Sequence, residues 1–478
     1  MNDVNGFKTI ADREGGLKRS LTRAQLGMIA IGSAIGTGLF LGSGAAIQLA
    51  GPSVILSFAI GAFVALLLMG CLAEMVVTHP STGSFGSYAE HYLGGLAGFV
   101  VRYAYWISVV LVIGAEVTAI SVYMHFWFPT SPGWLWILVF SAILIAINAR
   151  SVGSFGAAEY WFSIVKVAAI VGFIVLGSYA VFSAPSDTSI GIRNFYIDGG
   201  FFPRGFSGTW NAVVVAVFSF IGIEFIAVAA GEASEPERAA RSAFKSALVR
   251  LVIFYLLTVA LMVAIMPWQS AGTGESPFVM VMKKVGVTGG PSVMNFVILT
   301  AALSAMNAQL YVATRMIFSL SRSGYAPAFV SKVSTNGVPI RALMLSSFGV
   351  AFAAVTSIVM PGGSFILVMS IAMFGALFGW LMIFATHLRF RMACKRDGIT
   401  PAFRLPLFPV PTILGFVLMI AIIGSTFLVP AFRMSVVTGV PMLVVLALAY
   451  ALLKVRTRKK RAPRLSDAPQ ALERAKGI

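Results

Sequence analysis

The sequence predicts an all-α integral membrane protein with twelve transmembrane helices, and three observations carry that prediction. Long apolar runs repeat along all 478 residues, which are 58% hydrophobic and only 11% charged, with a mean hydropathy of +0.90. That is more apolar surface than a water-soluble domain buries. Most runs hold about 20 residues or more, enough to cross ~30 Å of hydrocarbon. The basic residues gather on alternate connections, as cytoplasmic loops do.

Residues 1–24 are a basic leading segment with Lys8, Arg13, Lys18, Arg19 and Arg23. Span one, 25–50, is the least ordinary. Its centre, Ile31–Gly44, reads IGSAIGTGLFLGSG and holds Gly32, Gly36, Gly38, Gly42 and Gly44. Each glycine costs roughly 1 kcal/mol inside a helix, so the cluster predicts a helix that breaks within the bilayer. Broken backbone is tolerated there only when buried in protein or lining a cavity. Spans two (53–77), three (95–128), four (134–149) and five (158–183) complete a first unit, 25–183, followed by an external loop, 184–207. Span six, 208–231, repeats the interruption with Phe218–Glu224, FSFIGIE, then Ala229-Ala230-Gly231-Glu232. Spans seven (246–267), eight (291–320), nine (341–360) and ten (364–388) complete a second unit, 208–390. Spans eleven (407–430) and twelve (436–454) fall in 391–454, and 455–478 is a basic tail. Interruptions five spans apart belong to units of opposite orientation. Facing each other near the midplane, they make one shared site.

The formal net charge of +18 invites a nucleic-acid reading, and its distribution removes it. Arg238, Arg241, Lys245 and Arg250 surround the connection after span six, and Arg389, Arg391, Lys395, Arg396 and Arg404 follow span ten. The tail adds Lys454, Arg456, Arg458, Lys459, Lys460, Arg461 and Arg464, whereas the outer side holds Arg193, Arg204, Lys283, Lys284 and Arg433. This asymmetry places both termini in the cytoplasm, with the tail expected against anionic lipid or simply disordered. The first apolar run is too long for a signal-peptide core and lacks a small-residue cleavage pattern, so no cleaved leader is expected. Cys71 and Cys394 suggest no disulfide framework, and His79, His91, His125 and His387 have no ligand spacing. With no catalytic or nucleotide-binding motif in the sequence, neither an enzyme, a metal nor a cofactor is expected. The work must come from ion or solute gradients. Oligomeric state is not legible.

The stretch Gly32–Phe40, GSAIGTGLF, closely resembles the first-span signature of amino acid permeases of the amino acid–polyamine–organocation superfamily. The resemblance continues through Ala50-Gly51-Pro52, Glu74-Met75, Thr82–Ala89, Glu159–Phe162 with Lys166, FSFIGIE with GEASEPER, Asn307-Ala308 and Arg315–Leu320. It covers about spans one to ten and looks most like the bacterial and fungal amino acid transporter branch. It implies the leucine-transporter fold, a 5+5 inverted repeat plus two extra helices. It also implies an amino acid substrate, mainly proton symport, and a bacterial inner membrane location. Alternating access would rock spans 1, 2, 6 and 7 against spans 3, 4, 8 and 9.

On this reading the freed amides of Ala34, Ile35, Gly36, Thr37 and Gly38, with a Ser33 or Thr37 hydroxyl, hold the α-carboxylate. Close packing of small residues is the structural alternative. In span six, carbonyls near Phe218–Gly222 receive the α-ammonium, Phe218, Phe220 and Ile221 shape the side-chain pocket, and Glu224 caps the freed amides of the break or relays a proton. The alternative for the phenylalanines is core or lipid contact. Lys166, about two turns inside span five, either snorkels to the interface or carries the coupling proton, since the resemblance places it where sodium sits in sodium-coupled relatives. Glu116, in Gly114-Ala115-Glu116-Val117-Thr118, is a second proton carrier or a structural partner. Arg102 and Glu232, at inner span ends, are either a paired cytoplasmic gate or solvated charges. Ser304 and Asn307 line the site's vicinity or bond between helices. Few acids are left for a cationic side chain, which favours a neutral or broad-range amino acid. GABA or basic amino acids, exchange instead of symport, and a non-transporting sensor remain alternatives.

Overall fold

The computed structural model describes residues 5–13, 17, 20–184, 190–234, 236–272, 275–359 and 364–461. Side chains are described at these except 5, 30, 236–243, 245–251, 357, 364–366 and 456–461. Lys18, Arg19, the tail beyond 461 and the side chains of Arg238, Arg241, Lys245 and Arg250 therefore lie outside the described residues.

The described chain is helical, with no strand beyond a single bridge between Leu21 and Ala233. Nine helices among the described residues are long and apolar enough to cross a membrane. Spans one and two run together in that count as Gly38–Thr78, because Gly51–Ser53 continues as a short 3-10 turn. Gly51 makes the turn at φ +64°, a conformation that glycine adopts without steric cost. Span seven belongs to the helix Pro236–Ile265, and span nine is made of Ile340–Ser346 and Phe348–Val359.

Both predicted breaks are present. In span one, helix Arg23–Gly32 stops, Ser33–Gly36 is irregular, and the chain resumes through a π-helical turn, Gly38–Gly42, into Ser43–Ala50. In span six, Gly205–Phe220 stops and Phe225–Ala230 follows four irregular residues later. Thr22 starts the first half-helix with a full capping box to Gln25, fixing its N-terminal end.

Span three, Gly95–His125, is the hub, packed between Gly290–Arg322 and Ser364–Arg396. Lipid is as apolar as leucine, so membrane helices associate through close packing of small residues. Gly349 backs onto the Val110 carbonyl and Gly375 onto the Ala104 carbonyl, where an added Cβ would collide. Val410–Leu428 and Arg433–Arg461 are peripheral and turn Val417, Leu428, Val444 and Leu452 outward.

Three elements depart from the sequence reading. Span ten continues to Arg396, two turns past its apolar run, because Arg391 bonds Glu74 in span two at 2.6 Å. Ser84–Leu93 is a separate helix between spans two and three. Pro277–Val285, in the connection after span seven, is also a helix. It seats Phe278 against Phe40 (4.6 Å between ring centres) and Phe173 (4.5 Å), covering the second half of span one.

Candidate functional site

The two breaks lie against each other. Ser33 Oγ donates to the carbonyl of Gly222 at 2.8 Å and reaches the Ile29 carbonyl at 2.6 Å. Gly222 has φ +111°, and a Cβ there would strike the Ser33 carbonyl. A Cβ on Gly38 would come 2.7 Å from Ser219 Cα. Glycine at these positions is therefore a requirement of backbone approach. Tyr255, from Pro236–Ile265, clamps the pair: its hydroxyl lies 2.7 Å from the Ala34 carbonyl and 2.9 Å from the Ser219 carbonyl. Tyr255→Phe leaves one carbonyl of each break without this partner. At about 1 kcal/mol for the one O–H shared between them, we expect roughly fivefold weaker substrate binding with little change in thermal stability. Competition binding on the purified variant checks this.

Lys166 is fully buried and does not snorkel. Its Nζ donates to the Gly32 carbonyl, to the Ile35 carbonyl at 3.2 Å and to Ser304 Oγ at 2.7 Å. The Gly32 carbonyl ends the first half-helix, where the dipole favours a cation, and the Ile35 carbonyl lies in the irregular segment beyond it. Glu159 Oε1 lies 3.9 Å from Lys166 Nζ and accepts from Ser304 Oγ at 2.5 Å, while Glu159 Oε2 accepts from Asn307 Nδ2 at 3.2 Å. Asn148 Nδ2 bonds Asn307 Oδ1 at 2.8 Å. Ser304 and Asn307 thus hold the lysine's partner acid in place. A lone cation or carboxylate would be very costly at this depth, and together they satisfy each other.

Glu116 faces the same break from span three. Oε1 accepts from Thr37 Oγ1 at 3.0 Å and from Gln309 Nε2 at 3.4 Å, while Oε2 has no hydrogen-bond partner among the described residues. It approaches Gly36 so closely that a Cβ there would be 3.2 Å from Oε1. Among the described residues, the amides of Ile35 and Gly36 meet no backbone carbonyl. Glu224 caps its own break: Oε2 accepts from the Gly222 amide at 3.0 Å and Oε1 from the Tyr105 hydroxyl. Phe218 lies against Gly38, Phe220 packs on Tyr255 with ring centres 4.6 Å apart, and Ile221 is only partly buried.

The expected pairing of Arg102 with Glu232 is not found, and neither is a solvated charge. Arg102 is fully buried and donates to Glu90 at 2.7 Å and Ser87 at 2.9 Å. Glu232 takes two bonds from Arg315, at 2.7 and 3.1 Å, with the guanidinium 3.9 Å from the Tyr311 ring centre. Arg315 lies nearly seven turns along Gly290–Arg322, on the face toward Glu232, which is why a pairing guessed from span ends alone misses it.

Glu90 also holds the leading segment, accepting from Arg13 at 2.7 Å, and Phe7 is buried against His79, Tyr88 and His91. Burial drives the His79 imidazole down to about 4, keeping it neutral beside His91. Burial works to raise the Glu90 carboxyl, but the Arg102 and Arg13 guanidiniums outweigh it and hold it below its usual 4.5. A lowered folded-state value stabilises at pH above the usual carboxylate range, and that contribution is lost as pH falls through the lowered value. Glu90→Gln removes the charge at any pH. Losing ~1.5 kcal/mol, the low end for a hydrogen bond to a charged group, should make tryptic cleavage after Arg13 roughly tenfold faster at neutral pH. An unchanged cleavage rate would show the segment is held by Phe7 alone.

Sequence reasoning missed Tyr255, Asn148, Gln309 and the Arg315 partner. Glu159 had a usable signal, standing seven residues before Lys166 and so on the same helix face two turns away.

The amino acid permease family model matches residues 25–467. The aromatic amino acid transport protein AroP of Escherichia coli (strain K12) is 37% identical over 443 residues, 93% of this chain and 97% of that relative. The proteins of the same name from Shigella flexneri and Salmonella typhimurium (strain LT2) match at the same identity and coverage.

Proposed function

The chain belongs to the amino acid permease family, and on that premise we propose that it is a proton-coupled symporter importing neutral amino acids, aromatic ones included, across a bacterial inner membrane. The observation that carries the proposal is the juxtaposition of two helix breaks, with Lys166 Nζ on the carbonyls of Gly32, at the end of the first half-helix, and Ile35, just beyond it. In this reading the chain crosses the membrane twelve times with both termini in the cytoplasm. Units 25–183 and 208–390 are inverted repeats.

The substrate carboxylate takes the amides from Ala34 to Gly38 with the Ser33 or Thr37 hydroxyl. The ammonium takes the carbonyls near Phe218–Gly222, and Phe218 with Ile221 meets the side chain. Relatives that carry aromatic amino acids and an apolar lining both favour an uncharged side chain. Lys166 and Glu116 are the proton carriers. Glu159, Ser304 and Asn307 hold Lys166 over the carbonyls, and loss or gain of its proton changes the grip on the first half-helix. The Glu232–Arg315 pair ties the inner end of span six to span eight, and opening toward the cytoplasm breaks it. No ATP-driven step is needed.

The test of substrate class is competition binding with phenylalanine, tryptophan, alanine, lysine and GABA on purified protein. The proposal expects phenylalanine or another uncharged amino acid to bind best. Lysine or GABA binding tightest would overturn the substrate assignment and leave the family membership standing.

A further inference from the structure

We propose that the cytoplasmic mouth between spans ten and eleven is a binding site for the phosphate headgroup of an anionic phospholipid. A cavity of about 350 Å³ opens there. Arg391, Lys395 and Arg404 line it, with the Gly398–Pro401 turn and Phe408, and no acidic side chain does.

The nearby acids are already neutralised. Glu74 is held by Arg391 at 2.6 Å, by His387 at 3.1 Å and by the Leu405 amide at 3.0 Å. Asp397 is held by Arg396 at 2.7 Å. Lys395 and Arg404 are exposed and have no hydrogen bond or ion pair among the described residues. Two unneutralised cations thus face one concave site beside a guanidinium fixed by Glu74. Arg391 is further steadied over the Phe408 ring at 4.8 Å.

Outside the cavity's lining, the chain that flanks Phe408 and runs into the next helix is apolar and exposed. Leu407 is 81% exposed, and Val410, Leu414 and Val417 continue outward along the next helix. A small phosphate would use the cations and leave this ridge idle, whereas a phospholipid uses both, its chains lying along Val410–Leu428. None of the residues lining the site belongs to either helix break, so it stands or falls separately from the transport proposal. It rests on the cytoplasmic orientation of this mouth.

The test is native mass spectrometry of the full chain with phosphatidylglycerol, with phosphatidylcholine and with inorganic phosphate. The expected result is retention of phosphatidylglycerol alone. The double variant Lys395→Ala/Arg404→Ala should bind it about 30-fold more weakly, at roughly fivefold per cation removed. Lys395→Arg/Arg404→Lys should bind normally. Lys332→Ala/Arg341→Ala, an equal loss of charge on the same predicted side, should also bind normally and controls for bulk attraction. Equal retention of phosphatidylcholine, retention of phosphatidylglycerol by the double alanine variant, or an equal loss in the Lys332/Arg341 control would overturn the site. Retention of inorganic phosphate as strong as that of the lipid would show an anion pocket and reject the lipid.

Discussion

Gly36→Leu is expected to abolish substrate binding while the protein still folds. A Cβ at Gly36 already comes 3.0 Å from the Ala305 methyl and 3.2 Å from Glu116 Oε1. The remaining leucine atoms must then fill the space in front of the irregular segment Ser33–Gly36. Overpacking costs about 1–3 kcal/mol, which a membrane bundle of this size absorbs. The amides of the break, however, lose access to a carboxylate. We expect affinity to fall by more than ~100-fold, about 2.8 kcal/mol. Gly27→Ala is the control, because a Cβ there meets nothing within 4 Å in the same half-helix. Gly36→Leu with ordinary affinity would show that the substrate does not use this break.

Lys166→Ala is expected to uncouple transport from the proton gradient. One proton carried with each substrate gives about tenfold accumulation for each unit of pH difference, or 1.36 kcal/mol. The variant should equilibrate substrate without accumulating it. Removing Lys166 alone strands Glu159 as a buried carboxylate with only neutral partners, Ser304, Asn307 and Ser163, beside it. That carries a penalty of about 3–5 kcal/mol, so poor expression of the single variant would be ambiguous. The double variant Lys166→Met/Glu159→Gln removes both charges and avoids it. If the double variant is folded, exchanges substrate and fails to accumulate it, Lys166 is assigned to coupling. Accumulation by the double variant at the level of the unaltered protein would reduce the pair to a structural role.

Helix identity and both interruptions were legible because they depend on local composition. Apolar length decides a span, and glycine density at Ile31–Gly44, with small and polar residues interrupting the apolar run around Gly222, decides where a helix can stop. Which side chains meet across spans was less legible, because that depends on helix rotation. Lys166 stood out as a buried cation, yet its contacts with Gly32, Ile35 and Ser304 come from three-dimensional approach alone. Tyr255 carries no sequence signal at all: it is one aromatic in an apolar run, and its value lies in reaching two carbonyls 185 residues apart in the chain, those of Ala34 and Ser219. Arg102 and Glu232 were misjudged because opposite charges at span ends look like partners. Each found a nearer and better-shaped one, in Glu90 and in the two-pronged Arg315. The helix Pro277–Val285 was invisible among the spans because nine residues are too few to register as an apolar run.

The most direct test of the central claim is uptake of radiolabelled phenylalanine into proteoliposomes under an imposed inward proton gradient of one pH unit. The account predicts accumulation approaching tenfold that collapses on adding a protonophore. Uptake indifferent to the gradient and dependent on preloaded amino acid would contradict it, and would make the protein an exchanger with Lys166 as a fixed charge.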